Sequence, residues 1–370
     1  MSKNIFEQST ILITGGSGSW GNELTTQLLN SFNPKEIRIY SRGEHKQVEM
    51  KRKFQNTKLK FIIGDIRDKD SLRIATKNVD YVFHLSALKH VPVCEENPWE
   101  AVKTNIIGTQ NIIEVSIEQG VKKVIDVSTD KAVDPLNLYG VTKACGEKLI
   151  IAANLASSKT RFICIRGGNV LGTNGSVIPL FREQILKTNQ VTITDERMTR
   201  FLMRVSEAIK LVLTAGINGV GGEIFVMKMP ACKIVDLAAV MIKELGNNIT
   251  KIINIGIRPG EKIHEILVSK YESVNTLDFG KYYIILPHLK IKKTYSFYKN
   301  KKYKKINFIE YSSNITTQLT KPEICKLLQE EHWLTSHNDP NGKTDLTRFK
   351  KQDLLRFNVI EGWKNYFTNK

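Results

Sequence analysis

Residues 10–21 read TILITGGSGSWG. The first five form a short apolar run of β-branched character, which predicts a buried strand. Gly15, Gly18 and Gly21 follow directly, and residues 22–31 carry a helical pattern. Glycine is required where a chain turns tightly and where its backbone must approach a pyrophosphate. The helix that follows offers free N–H groups and the positive end of its dipole to an anion. A glycine triplet alone is weak evidence; in this strand–turn–helix setting it predicts a dinucleotide-binding loop.

Working outward, short apolar runs alternate with longer helical patterns through the first half. Strands are expected at 36–41, 59–64, 80–86, 123–128 and 161–166, with long helices at 98–119 and 138–155. Such alternation predicts βαβ units, hence an α/β fold with a Rossmann-type doubly wound parallel sheet. Beyond Gly172 glycines, prolines and short strands take over, with helices expected at 204–215 and 234–245. We expect residues 1–170 to form the dinucleotide-binding domain, to which later segments return. Residues 171–335 are expected mainly in a smaller α+β substrate-binding lobe, and 336–370 in a C-terminal tail with an amphipathic stretch around Leu354, Phe357, Trp363 and Phe367.

The second strand ends in Tyr40-Ser41-Arg42, where an acid would be expected to hold the ribose 2′-hydroxyl of NAD. Ser41 and Arg42 suit a 2′-phosphate instead, so NADP is expected over NAD. Asp65 and Ile66, after the third strand, are placed to meet the adenine.

Tyr139 and Lys143 are four apart on an expected helix and share a face. A tyrosine of ordinary pKa, ~10, is a poor base at neutral pH. A neighbouring ammonium stabilises the phenolate, which can then take a hydroxyl proton as hydride leaves the same carbon. The pair alone recurs by chance; after a phosphate loop and a strand ending in Val127-Ser128-Thr129 it predicts oxidation of a hydroxyl.

The chain has 370 residues, is 41% apolar and carries a formal charge of +18. The charge favours anionic partners such as nucleotides. No apolar run reaches the ~20 residues that span a bilayer, so a cytoplasmic protein without a membrane partner is expected. Five scattered cysteines, none in a C-x-x-C pair, argue against a disulfide framework or a metal site. Between Lys290 and Lys305 stand eight lysines and no acid, interleaved with Tyr295, Phe297, Tyr298 and Tyr303. That composition suits a single-strand nucleic-acid surface. A solvated hairpin or loop is the favoured reading, so no nucleic-acid partner is expected.

The motifs TGGSGSWG, HLSALKHVP, TNIIGTQN, STDKAVDPLNLYGVTK, GSVIP, MTRF and RPGEKIHE run in order from about Ser9 to Leu328. Together they resemble the extended short-chain dehydrogenase/reductases. More closely, they resemble the soluble UDP-N-acetylglucosamine 4,6-dehydratases that invert C5. The resemblance implies a bound, recycled NADP and a UDP-sugar substrate. The product would be UDP-2-acetamido-2,6-dideoxy-β-L-arabino-hexos-4-ulose, for a deoxy amino sugar of surface glycans. It places Ser17, Trp20 and Ala87 on the cofactor with the glycines, and Lys89 near the nicotinamide or the sugar. Thr129 would hydrogen-bond the C4 oxygen, Asp130 would be the acid at C6 and Lys131 the base at C5; a lysine base must be neutral, which requires a lowered pKa. Asn169, Arg200 and Arg258 would serve the diphosphate, Glu261 the ribose and Val177 the uridine. His90 reads as structural, and Asn105 as a buried polar residue that holds backbone. Gly167 stands where the family often carries an aromatic, which would open the pocket or loosen the backbone. A homo-oligomer, dimer or larger ring, is expected through the two long helices. A UDP-N-acetylhexosamine 4-epimerase would need only the Tyr/Lys pair and is the alternative.

Overall fold

The computed structural model describes residues 4–172, 176–301 and 303–334. The expected tail, with Leu354, Phe357, Trp363 and Phe367, lies outside the described residues. Six parallel strands form where the apolar runs predict them: β1 (Thr10–Thr14), β2 (Glu36–Ser41), β3 (Leu59–Ile63), β4 (Tyr81–His84), β5 (Lys123–Thr129) and β6 (Arg161–Gly167). They lie in the order β6-β5-β4-β1-β2-β3. The order reverses between β1 and β4, and the crevice at that switch point is where open parallel sheets bind ligands.

Three later strands extend the sheet past β6. Ile224–Met227 pairs with it in parallel, and Tyr282–Ile285 and Thr276–Phe279 follow antiparallel. The sheet therefore has nine strands, and β1, β4, β5 and β6 are covered on both faces. A second apolar cluster forms beside it from Leu171, Phe181, Val191, Leu237, Met241, Ile324 and Leu328. That cluster joins the helices Val177–Thr188, Ile234–Leu245 and Lys321–Glu330.

The expected helix at 98–119 is continuous but not regular. It runs as Pro98–Val102, a π-helical turn at Lys103–Ile107, and Gly108–Glu118. Asn105, in that turn, accepts from Leu88 N at 2.8 Å and donates to Leu88 O at 2.9 Å and Thr142 Oγ1 at 3.0 Å. It ties the loop after β4 to the Leu138–Ala156 helix. The basic stretch is also a helix, Lys292–Asn300, rather than a hairpin or loop. Tyr298 is buried and hydrogen-bonds Glu223, while Tyr295, Phe297 and Tyr303 pack against the core. Its aromatic rings are thus spent on packing rather than offered to nucleic-acid bases.

A buried ion cluster fastens the later chain to the sheet. Arg166, at the end of β6, meets Glu147 at 2.7 and 2.8 Å and Glu272 at 2.7 and 2.8 Å, and donates to Leu267 O. Removing the cation would leave two carboxylates buried together. Arg166→Met is therefore expected to cost roughly 3–5 kcal/mol of stability. Denaturant unfolding of the variant with an unchanged midpoint would contradict this.

Candidate active site

The glycine loop is built as its composition predicts. Gly15 is left-handed, with φ +66°, and a Cβ there would lie 3.0 Å from the Leu85 carbonyl carbon. A Cβ on Gly21 would lie 2.1 Å from Gly16 O, so only glycine lets the first turn of helix α1 (Ser19–Ser31) close on the loop. Gly18 caps α1 without any side-chain hydrogen bond, which leaves the helix N–H groups free. These features fit a pyrophosphate.

Ser17 Oγ and Ser41 Oγ are 2.9 Å apart, and Gln47 donates to Ser41 Oγ. Arg42 is exposed beside them, its guanidinium 3.8 Å from Asp65. Asp65 is itself held by Arg67, at 2.6 and 2.9 Å. Arg67 and burial act in opposite senses on its carboxyl, and the arginine's hydrogen bonds leave it below the ordinary value. Ile66 is buried against Gly108. Ala87, Lys89 and His90 are exposed on the loop after β4. At Gly167, Trp20 and Met203 lie 3.5 Å from where a Cβ would stand, at ordinary van der Waals distance.

Under the site, buried His84 lies 2.7 Å from Thr14 Oγ1 and 3.9 Å from Asp126. Burial lowers its pKa to about 4, so it is neutral at physiological pH. Asp126 pairs with Lys143, Nζ to Oδ2 3.4 Å. Burial would weaken the Lys143 cation, but Asp126 and Tyr139 outweigh it and raise its pKa. Tyr139 differs from expectation. Burial raises its pKa, and the opposing pull of Lys143, Thr129 and Lys131 does not overcome it. The phenol is therefore protonated in the free enzyme.

At the end of β5, Thr129 Oγ1 donates to Asp130 Oδ1 at 2.9 Å. Lys131 Nζ meets the same oxygen at 3.1 Å. Burial raises the pKa of Asp130, against the pull of Lys131. Lys131 reverses the expectation of a lowered pKa. Burial acts downward, but two carboxylates outweigh it and hold the ammonium well above the ordinary lysine value. The second carboxylate, absent from the sequence reading, is Glu265, with Oε1 at 3.2 Å. It closes the RPGEKIHE motif, of which the reading took up only Arg258 and Glu261.

One cavity gathers Lys131, Asn137, Asn169, Arg200, Arg258, Glu261 and Glu265, with Val91 and Pro92 also in its lining. Asn137 caps the Leu138–Ala156 helix, accepting from Gly140 N at 2.8 Å, and donates to Gly260 O at 2.9 Å. It thereby fixes the 258–265 loop against the helix that carries Tyr139. Arg200 spends its guanidinium on Thr199 O, Ile263 O and Lys262 O, with Nε 3.5 Å from Glu265. Arg258 is half exposed, and its nearest carboxylate, Glu261, stands 3.9 Å away. Of the two arginines, Arg258 is the one whose fork remains available to an anion. Asn169 Oδ1 is buried and lacks a partner. Val177 does not border this cavity; it packs against the second apolar cluster. Among the described residues no group of His, Cys, Asp and Glu could hold a metal ion, and no helix is long and apolar enough to cross a membrane.

Residues 11–287 match the family model described as polysaccharide biosynthesis protein. A UDP-N-acetylglucosamine 4,6-dehydratase (inverting) of Campylobacter jejuni is 47% identical over 290 residues, 78% of this chain and 85% of that protein. A UDP-glucose 4-epimerase of Rickettsia akari is 44% identical over 330 residues, 88% of this chain and 96% of that protein. The structure of Pen from Bacillus thuringiensis superimposes with a TM-score of 0.83 at 39% identity, covering 90% of this chain and all of that one.

The neutral His84 makes stability depend on pH. Its folded pKa of about 4 lies below the ordinary 6.5, so the unfolded chain binds the proton first as pH falls. Stability should drop between pH 6.5 and 4, by on the order of 3 kcal/mol from this group. Replacing it, His84→Asn, should make that part of the stability–pH curve shallower. An identical slope in the two proteins would refute the assignment.

Proposed function

The chain belongs to the polysaccharide biosynthesis protein family, and we propose that it is a UDP-N-acetylglucosamine 4,6-dehydratase, a hydro-lyase, inverting at C5. One observation carries the choice over a 4-epimerase. An epimerase needs only to oxidise and reduce C4, whereas here Lys131, an amine that lines the cavity, is in contact with an acid, the buried Asp130. Removal of water across C5 and C6 needs such a pair.

The cofactor would be NADP, held by the α1 N-terminus, with Ser17, Ser41 and Arg42 at the 2′-phosphate. When bound it supplies a two-electron acceptor for C4 that later returns the pair to C6. The chain's residues do the rest. Thr129 and Tyr139 hold the C4 hydroxyl, and Tyr139, after releasing its own proton to solvent with the Lys143 cation stabilising the phenolate, takes the hydroxyl proton. The C4 ketone acidifies the C5–H. Lys131, as free amine, removes that proton. Asp130, whose burial favours the protonated form, gives its proton to the departing C6 hydroxyl, which leaves as water. Arg258, with Asn169 beside it, would hold the diphosphate, and Glu261 the ribose. The product would feed surface-glycan synthesis in the cytoplasm. A homo-oligomer would pair the two long helices, on which Trp99, Val141 and Leu155 are exposed.

Incubation with UDP-N-acetylglucosamine in heavy water, followed by NMR, should yield a 4-keto-6-deoxy sugar of L-arabino configuration with deuterium at C5. A product that keeps all its oxygen, inverted only at C4, would establish the epimerase instead. Lys131→Ala should abolish dehydration while the protein retains its nicotinamide cofactor; loss of the cofactor would remove Lys131 from the proposed role.

A further inference from the structure

Lys131 is held from two sides. Asp130 Oδ1 lies 3.1 Å from its Nζ, and Glu265 Oε1 lies 3.2 Å away on a segment far along the chain. Both carboxylates are buried, 1% and 2% exposed, while Lys131 keeps 26% of its side-chain surface exposed. Each carboxylate also has an oxygen, Asp130 Oδ2 and Glu265 Oε2, without any hydrogen-bond partner. An unpartnered buried oxygen costs stability, and it calls for a functional reason. Glu265 is not loosely placed. Its N–H donates to Ser313 Oγ at 2.9 Å, its carbonyl accepts from Ser313 N at 2.8 Å, and Arg200 Nε stands 3.5 Å from Oε1.

The dehydratase reading needs Lys131 as a neutral amine, yet the geometry leaves it an ammonium between two carboxylates. Its proton must go somewhere inside the site. Asp130 has another task, since its own proton leaves with the C6 hydroxyl. We propose that Glu265 is the positioning residue that receives the proton of Lys131 before C5 is attacked and returns it afterwards. The inference rests on the dehydratase reading of the same site.

The step balances. One N–H bond at Lys131 Nζ breaks and one O–H bond at Glu265 forms, so ammonium and carboxylate become amine and carboxylic acid, with no net change of charge. The amine lone pair then takes the C5 proton, and the C–H electron pair enters the C4 carbonyl as an enolate. In the free enzyme the ion pair is favoured, because Lys131 and Arg200 outweigh burial and hold the Glu265 carboxyl below its ordinary value. A substrate filling the cavity excludes water from that pair, and desolvation penalises both charged partners at once. Tyr139, Arg200 and Lys262 are the other charged or titratable groups acting on the pair, with Asp130. Only Asp130 shares with Glu265 an ion-pair contact to the amine and an unpartnered oxygen, and Asp130 is committed to the C6 hydroxyl.

The test reads C5 alone. Glu265→Gln removes the acceptor but keeps the shape. In heavy water with UDP-N-acetylglucosamine, it should slow deuterium entry at C5 by about 100-fold at pH 7. The rate should recover as pH rises, because hydroxide then takes the Lys131 proton. Reduced nicotinamide, followed by its absorbance in a single turnover, should still form, since oxidation at C4 uses Tyr139 and Lys143. The carboxylate-keeping Glu265→Asp should restore part of the exchange. If Glu265 were only a counter-ion, its loss would release the Lys131 proton more easily, so exchange at pH 7 that is unchanged or faster overturns the proposal. Loss of nicotinamide reduction together with exchange also overturns it, in favour of a structural role. Absence of exchange in the unaltered protein would instead sink the dehydratase reading itself, and this inference with it.

Discussion

A charge taken out of water has to meet its counter-charge inside the protein, and the end of β5 is where this chain is most constrained by that requirement. Asp126 and Asp130 lie on and just after β5, and Lys143 reaches the first from the Leu138–Ala156 helix. Lys131 meets the second, together with Glu265. Glu265 in turn stands by Arg200, which is anchored to the backbone at 199, 262 and 263. Three pieces distant in sequence, the end of β5, the Leu138–Ala156 helix and the segment around Arg200 and Glu265, are thereby held in one register. A shift of any of them by an ångström or two would strand a buried charge, which costs far more than a lost apolar contact.

Much of this framework is legible in the sequence because it follows local rules. The glycines at 15 and 21 sit where steric crowding or a left-handed backbone admits nothing larger, and the apolar runs become strands within a residue or two of their expected ends. Asn105 is, as its sequence setting suggests, a buried polar residue whose hydrogen bonds knit backbone across elements. The parts that escape have non-local causes. The π-helical turn at Lys103–Ile107 depends on what Asn105 meets across the fold. The basic segment forms a helix because Tyr298 and its neighbours find the core. Glu265 lies more than a hundred residues from Lys131, and its motif displays three other charged residues that invite a role first.

Charge states were the least legible feature, for a definite reason. A Tyr and a Lys four apart on a helix suggest a lysine that lowers the phenol's pKa, and an Asp beside a Lys suggests a simple pair. Neither spacing reports burial. Burial raises Tyr139 against the pull of Lys143, whose charge is shared with Asp126. At Lys131 burial acts downward, and Asp130 and Glu265 together outweigh it and keep the lysine charged. In the free enzyme burial thus favours the acid form of Asp130, while Tyr139 and Lys131 are held toward their protonated forms.

That asymmetry bears on what the site is for. An epimerase on this scaffold would gain nothing from two buried carboxylate oxygens without partners, nor from an ammonium facing the cavity between them. Local rules broken at a cost to stability mark places where chemistry compensates for the cost. Here the broken rules coincide with the groups that removal of water would use: burial favours the acid form of Asp130, Lys131 must shed a proton, and Glu265 stands in contact to take it. Two carboxylates on one lysine, held to opposite sides of their ordinary values by different surroundings, separate acid from proton acceptor. This lets one small cluster give a proton at C6 while it removes another at C5.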